Sequence, residues 1–494
     1  MTTDNQHGPN RRRFLQGAIG TLLAGALLGK PAGRASAGAP AAGPLGSEVP
    51  STGALPYRIG AASVDITPTW RTMLAGFEHR TKPTTGVVQP IHARAFVIDD
   101  GTRKVVYVNA DICYWESCNK PYRIIGPIRE ALGKKHGFKP DEILLVATHN
   151  HSGPVMGDER FRKLLVDRTI EVVGRAVAAE RPARLFFGRG SCGIGVSRRG
   201  TDMNGDDLWE INPYGPRDPE VFVLKAVGAD GRPFAVTFNY ACHPTTIGTD
   251  EICGDYVGYA QSEMEKRLGG ATALFLQGTA GDIKPDYHAP ADRFNFIAPR
   301  LCTPDVPVRF GTTLADEVTK VLAAPMEEIT GAIRVGRAAV ELPVLTGWTG
   351  MNQIETDSKP DPARPFSGPT RRMARMARRM FDSMDEAGNY KLTQAAEASV
   401  VRIGDKFVNV GFAGEVCTPI GLRVKDQLRG KNVMVTAYTN VYIGYIPGQS
   451  QLAAGGYEVF NNYNSLPYSP EAEDVLVCAA MGLVKALDSG KQQQ

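Results

Sequence analysis

From Tyr57 onward, short apolar runs alternate with longer stretches in which apolar residues recur every three or four positions. The short runs predict β-strands at 93–99, 105–109, 143–148, 221–227, 234–240 and 273–276. Further strands are predicted at 333–342, 398–403, 407–412 and 433–438. The helical spacing predicts helices over 122–136, 159–180, 256–268, 313–323, 371–386, 418–428 and 472–487. Asp-Gly at 100–101 and 230–231 marks hairpin turns between neighbouring strands, because glycine supplies the positive φ that tight turns require. Hairpins mixed with crossover helices predict an α/β chain, with mixed β-sheets flanked by helices in one large domain over 57–488. No repeat with a period of 20–50 residues is visible, and the basic helix around Arg371–Arg379 reads as a solvated face.

The first 37 residues follow a different pattern. Arg11-Arg12-Arg13-Phe14-Leu15 precedes a weakly apolar stretch ending near Leu28, and Ala35-Ser36-Ala37 supplies small residues at a cleavage position. That is the anatomy of an export signal, and the paired arginines resemble the twin-arginine class, whose clients cross the membrane folded. An uncleaved amphipathic anchor is the alternative. The run is short and rich in Gly and Ala for a membrane span, and no other stretch of about 18 apolar residues occurs. The expectation is an exported protein, periplasmic or extracellular, whose mature chain lacks a transmembrane segment and whose partner in transit is the twin-arginine machinery. Residues 38–56, rich in Gly, Ala, Pro and Ser, read as a flexible spacer.

Charge then removes a class of function. The formal net charge of +4 comes from 56 basic and 52 acidic residues. Residues 1–37 hold five of the basic residues and one acid, so the rest carries 51 of each sign. A body without net charge is a poor nucleic-acid binder, since phosphate contacts need clustered Lys and Arg. At 43% hydrophobic and 22% charged, the composition also excludes a disordered or fibrous chain. The eight cysteines include no Cys-x-x-Cys pair, which argues against a cysteine zinc site. Cys242, Cys417 and Cys478 lie in apolar runs and are expected to be plain buried thiols.

Histidine is scarce, and its placement is informative. Of eight, two fall in Thr148-His149-Asn150-His151-Ser152-Gly153-Pro154 and one in Cys242-His243-Pro244. Both segments follow an apolar strand, and strand ends at the rim of a sheet are common places for sites. Residues two apart on a strand point the same way, so His149 and His151 are expected to address one cavity. The bland alternative is satisfied core histidines beside turns. The metallo-β-lactamase pattern fails, because Gly153 and Pro154 stand where Asp and His are needed. The amidohydrolase barrel fits poorly, as only His243 and His288 follow the pair.

The Ala147–Pro154 segment resembles the Thr-His-Thr-His-Ser-Gly-Pro motif of the neutral/alkaline ceramidases, zinc amidases that cut the N-acyl bond of sphingolipids. Further motifs follow in order across about 57–460. Gly60-Ala-Ala-Ser-Val-Asp-Ile-Thr-Pro68 and Val108-Asn-Ala-Asp111 are similar to the family's first two strands. Val196-Ser-Arg-Arg199, Gly281-Asp-Ile-Lys-Pro285 and Gly414-Glu415 resemble later family segments. Asn440-Val-Tyr-Ile-Gly-Tyr445 and Gly456-Tyr457-Glu458 keep its two tyrosines twelve residues apart.

The resemblance implies one Zn2+ per chain, held by His149, His243, Glu415 and Tyr445, a plausible set of N and O donors. It implies that zinc lowers the pKa of bound water to about 7, supplying a hydroxide that attacks the amide. His151 is then the general base and later the acid for the leaving amine. Tyr457 is expected to donate to the oxyanion and Arg198 to contact substrate. Read alone, Glu415 has the alternative of an N-cap for the helix near Thr418, and Tyr445 that of an ordinary half-buried tyrosine. Asp282 reads as a turn residue. The implied function is an exported zinc hydrolase of an N-acyl amide, from a ceramide-like lipid or a smaller compound. The alternatives are a zinc esterase or lactonase, and a non-catalytic exported binding protein. Two departures bear on substrate. Lys284 replaces the family's Ser, and no room is expected for the family's C-terminal immunoglobulin-like domain.

Overall fold

The computed structural model describes residues 53–77, 80–201, 207–208, 211–286, 303–344, 392–460 and 468–489. The expected signal, the spacer up to Thr52, the 371–386 helix and His288 lie outside the described residues.

The alternation along the strands explains the architecture. The first sheet contains β1 (Tyr57–Asp65), β2 (His92–Asp99), β3 (Lys104–Ala110), β4 (Ile143–Ala147), β5 (Arg181–Ser191), β6 (Glu220–Gly228), β7 (Pro233–Tyr240) and β8 (Thr272–Gln277). Its order is β8-β7-β6-β5-β1-β2-β3-β4, and a short strand at Glu327–Ile329 adds to β5. The second sheet has β9 (Ile333–Pro343), β10 (Thr393–Ile403), β11 (Phe407–Phe412) and β12 (Asn432–Thr436) in sequential order. Most pairs are antiparallel, whereas β3–β4, β7–β8 and β11–β12 are parallel. The sheets are therefore mixed, as the hairpin and crossover signals predict.

Side chains two apart enter the same layer. Tyr57, Ile59, Phe96, Ile98, Tyr107, Leu144 and Phe222 of the first sheet share a core with Ile333, Val335, Val401, Phe407 and Met434 of the second. The opposite parity of β1–β4 packs Val64, Ala93, Val97 and Val106 against helices α1 (Ile125–His136) and α2 (Glu159–Ala178). Val221, Val236, Phe238 and Phe275 pack instead on α3 (Asp255–Arg267) and α4 (Asp305–Ala323). Helices α5 (Thr418–Gln427) and α6 (Glu471–Asp488) cover the outer face of the second sheet. Helix α6 does so with a stripe of Ala472, Leu476, Ala480, Leu483 and Leu487, at the three- and four-residue spacing of one helix face. Among the described residues no helix is long and apolar enough to cross a membrane.

The observed bounds differ from expectation in ways that matter. β5 is not predicted, because Arg and Gly interrupt its apolar positions, yet Ala183, Leu185 and Phe187 keep the inward alternation. β12 ends at Thr436, short of the expected Tyr438. Beyond it, residues 437–440 join both edges of the first sheet. Ala437 N donates to Gln277 O on β8 (3.0 Å), and Ala147 N of β4 donates to Tyr438 O (3.2 Å). Cys478 is exposed rather than buried, because it lies off the packed stripe of α6. Cys242 and Cys417 are buried, as expected.

Candidate metal centre

Each of the parallel strand pairs ends near one point. His149 follows β4, His243 follows β7, Glu415 follows β11, and Tyr438 follows β12. The His149-x-His151 pair meets for a reason other than strand parity. β4 stops at Ala147, and His149 adopts a left-handed backbone with φ 64°. Non-glycine residues rarely occupy that region, and they do so mostly where the surroundings demand it. Asn150 pins the turn. Its Nδ2 donates to Asp111 O (3.1 Å) and Cys253 O (2.7 Å), and its Oδ1 accepts from Ser152 N (2.8 Å). Tyr438, with φ 53°, lays its ring 4.2 Å from that of His149.

Both buried imidazoles are oriented by the main chain. His149 Nδ1 lies 3.0 Å from Cys113 O, and His243 Nδ1 lies 2.6 Å from Ala280 O and 3.0 Å from Ile283 O. A carbonyl oxygen only accepts, so both Nδ1 atoms carry hydrogen and both Nε2 atoms are turned to the centre. There they meet one carboxylate oxygen, Glu415 Oε2, at 3.2 Å from His149 Nε2 and 3.1 Å from His243 Nε2. His149, His243 and Glu415 are all buried and could hold a metal ion together. Two imidazole nitrogens and a carboxylate, each imidazole held by an outer carbonyl, are a donor set that suits zinc.

Glu415 is aimed by its neighbours. Gly414 has φ 76°, and a Cβ there would lie 2.7 Å from Gly444 O, so glycine alone fits beside the glutamate. Glu415 and Tyr445 are partners in a two-stranded parallel ladder. The Tyr442 hydroxyl donates to Glu415 Oε1, while that of Tyr438 lies 3.5 Å from Oε2. Glu415 does not cap helix α5. Asp282 does, accepting from Thr418 N at 2.8 Å while Gln451 Nε2 donates to its other oxygen at 2.7 Å. Tyr445 stacks on His243 with ring centroids 6.5 Å apart.

Electrostatics show what the pocket wants. Burial works against a charged His149, yet Glu415 and the Cys113 sulfur hold its proton, raising it to about 10. His243, at the same carboxylate, is pushed down to about 4 by burial and by the Arg198 cation. Burial opposes the Glu415 charge too, but His149 and His243 hold its carboxyl well below the ordinary range. One cation suits this pocket, and a proton on His149 Nε2 stands in for it.

His151 differs from its neighbours. Its Nε2 lies 3.0 Å from His149 Nε2, and its Nδ1 has no hydrogen-bond partner among the described residues. Burial and the imidazoles of His149 and His243 push it well below the usual histidine range, so the ring is neutral.

Arg198, Tyr457 and Tyr445 lie together beside this centre. The Arg198 guanidinium is 5.4 Å from the Tyr445 ring and 4.9 Å from that of Tyr457, and the two phenols meet edge to face at 5.6 Å. Arg198 Nε donates to Glu458 Oε1 (2.8 Å), and another of its nitrogens to Gly281 O (2.6 Å). Arg199 donates to Glu458 Oε2 (2.5 Å), so one fully buried carboxylate bridges two arginines. Lys284 is buried in a short ladder, opposite Val196. Sequence reasoning overlooked Tyr438, Tyr442 and Glu458, although Tyr442 and Glu458 lie inside quoted motifs. Their contacts span between 23 and 260 residues, and no local spacing encodes them.

Comparisons with known proteins converge on one family. Residues 57–295 match the model of "Neutral/alkaline non-lysosomal ceramidase, N-terminal". Neutral ceramidase of Pseudomonas aeruginosa is 28% identical over 257 residues, which cover 47% of this chain and 37% of that protein. Neutral ceramidase A of Dictyostelium discoideum is 28% identical over 269 residues, 48% of this chain and 37% of the relative. The matched stretch thus spans little more than a third of these curated relatives. The crystal structure of the Pseudomonas aeruginosa neutral ceramidase shares the fold, with a TM-score of 0.68 and 21% identity. That match covers 89% of this chain and 75% of that one. A ceramidase complexed with C2 gives a TM-score of 0.67 at 21% identity, covering 88% and 76%.

Proposed function

Because the chain belongs, through residues 57–295, to the neutral/alkaline non-lysosomal ceramidase family, we propose that it is an exported zinc-dependent hydrolase of N-acyl amides. Its substrate is a ceramide-like lipid or a smaller N-acyl compound. The observation that carries the reading is the convergence of two carbonyl-anchored imidazoles on Glu415 Oε2.

His149, His243 and Glu415 hold the metal in this reading, with Tyr445 adding its phenolic oxygen. Zinc, when bound, polarises an acyl carbonyl and makes water acidic near neutral pH. His151, a neutral ring whose Nε2 faces this centre, takes the proton of the attacking water and returns it to the departing amine. An amine leaves an acyl carbon poorly without that proton, so the mechanism needs such a group. Tyr457 donates its phenolic hydrogen to the acyl oxygen as charge grows there. Arg198 keeps the two phenols in place through its position over their rings. Lys284, buried in the ladder that runs into Arg198, bears on which head group is admitted. Residues 1–37 direct the folded, metal-loaded chain through the twin-arginine route.

The test is release of the carboxylic acid from matched N-acyl and O-acyl substrates of short and long chain, by holoenzyme and by chelated enzyme. Amide cleavage that chelation abolishes and zinc restores is the expected result. Ester cleavage without amide cleavage would move the reading to an esterase. Full zinc occupancy without any hydrolysis would move it to a binding protein.

A further inference from the structure

Of the three histidines, His151 alone lacks a hydrogen bond at Nδ1 among the described residues. An imidazole that swaps protons still has to face one way, so packing has to orient it. The packing comes from Gly76 and Phe77. Gly76 (φ 90°) lies flat on the ring, where a Cβ would stand 2.3 Å from His151 Cγ. Phe77 meets the ring edge to face at 5.0 Å and 71°. Neither residue lies in a helix or strand.

Arg80 holds this wall in place. Its side chain is buried, and its guanidinium stands 4.8 Å from the Phe77 ring. One terminal nitrogen donates to Ala75 O (3.2 Å) and to the backbone oxygen of His151 itself. The other donates to Ser152 Oγ (3.1 Å) and Thr249 O (2.7 Å). Asp250, 3.9 Å away and partly exposed, is the carboxylate that balances it. One planar fork thus ties together the wall, the His149–Pro154 turn and the segment after His243. A point charge on a flexible stem cannot satisfy four acceptors in that geometry.

We infer that Arg80 is a positioning residue for the reaction. It clamps Gly76 and Phe77 against His151, so that the ring keeps Nε2 on the metal centre. The inference rests on the reading of His151 as the proton-transfer group, and on no direct contact of Arg80 with substrate.

The experiment compares zinc-loaded wild type with Arg80→Lys and Phe77→Leu, each with zinc content, kcat and KM determined. A second readout needs no turnover: the rate at which diethyl pyrocarbonate modifies His151, followed by mass spectrometry of its peptide. Arg80→Lys is expected to keep zinc and to hold KM within about twofold. Its kcat should fall about 10–100-fold, the scale of a displacement near 1 Å in a reacting group. His151 should be modified several-fold faster, and Phe77→Leu should move both readouts in the same direction by less. Unchanged kcat and unchanged labelling would overturn the inference, as would zinc lost in step with activity. If Arg80→Lys fails to fold, Phe77→Leu decides by the same two criteria. A wild type that cleaves no N-acyl substrate defeats the functional reading alone, because the labelling comparison still stands.

Discussion

Two carboxylates, Glu415 and Glu458, are buried almost completely on neighbouring parts of the molecule, and their surroundings are opposite. Glu458 faces two permanent cations, Arg198 at 2.8 Å and Arg199 at 2.5 Å. The chain itself balances that charge. Glu415 faces two imidazoles whose Nδ1 hydrogens are already committed to carbonyls, so both are neutral unless Nε2 gains a proton or a metal. An isolated carboxylate in a dry pocket is costly, and the cost is met by pairing or by a cation. Asp255 shows the third outcome. It is buried among hydroxyl and N–H donors and makes no ion pair within 4.0 Å among the described residues, and burial raises it to about 6. Permanent cations therefore mark the Glu458 region as structural support, whereas imidazoles whose charge can come and go mark the Glu415 region as one that could hold a metal.

The comparison breaks most readily at Glu415. Glu415→Gln removes the charge and keeps the shape, so zinc should be lost and turnover with it. The effect should exceed the ~10–100-fold that follows loss of an outer partner of a metal ligand. Elemental analysis of the purified variant checks this, and zinc retained at full occupancy would place the metal elsewhere. His151→Ala comes next. Zinc content should stay near one per chain while kcat falls by about 10²–10⁴, the usual worth of a positioned proton-transfer group. A metal-free His151→Ala protein would make His151 a ligand and dismantle the division of roles between the paired histidines.

The division between strands and turns explains what could be read from sequence. β2, β4, β7 and β11 follow from apolar runs whose parity assigns each residue to a layer, and the observed bounds lie within two residues of those expected. The ligating types, two His and a Glu beside Gly or Pro, were also legible, because polar groups at apolar strand ends stand out. Conformations in the turns were not. His149 and Tyr438 reach the centre through left-handed backbones that no spacing rule anticipates, and strand parity gave a wrong reason for the meeting of His149 with His151. Arg80 and Glu458 were invisible for a different cause. Each acts through partners that are remote in the chain, up to 169 residues away for Arg80 and 260 for Glu458. A charged residue read singly looks like surface.

At the Glu458 side, stability should respond where metal content does not. Glu458→Gln leaves two buried arginines facing a neutral amide, and breaking a buried pair costs about 3–5 kcal/mol. Denaturant unfolding of the variant checks the loss, with zinc per folded chain expected to match wild type. The sign of the pH dependence follows from the same contacts. Burial opposes the Glu458 charge, but the two arginines hold its pKa below the ordinary 4.5. Its stabilisation is therefore complete above that value and disappears as pH falls through the depressed folded pKa. The variant should accordingly show a flatter acid limb. A variant that unfolds normally but loses zinc would mean that the two regions are one unit.

The smallest effect sharpens the contrast most. Tyr442 donates its hydroxyl to Glu415 Oε1 and leaves Oε2 to the imidazoles. Tyr442→Phe keeps the ring stacked on Tyr114, now 4.8 Å between centroids, and removes that one donor. A hydrogen bond to a charged acceptor is worth about 1.5–3 kcal/mol, but the same bond exists before metal enters, so much of it cancels. What remains is orientation: without the donor, the carboxylate is able to turn Oε2 away from the metal position. Zinc affinity should fall about tenfold, the lower end for an outer partner of a ligand, while the metal-free protein loses the bond itself and is destabilised by about 1.5–3 kcal/mol. A chelator competition measures it directly. If zinc binds Tyr442→Phe as tightly as wild type, the phenol belongs to the packing around Tyr114 and not to the carboxylate, and Glu415 must be held by its glycine-backed strand alone.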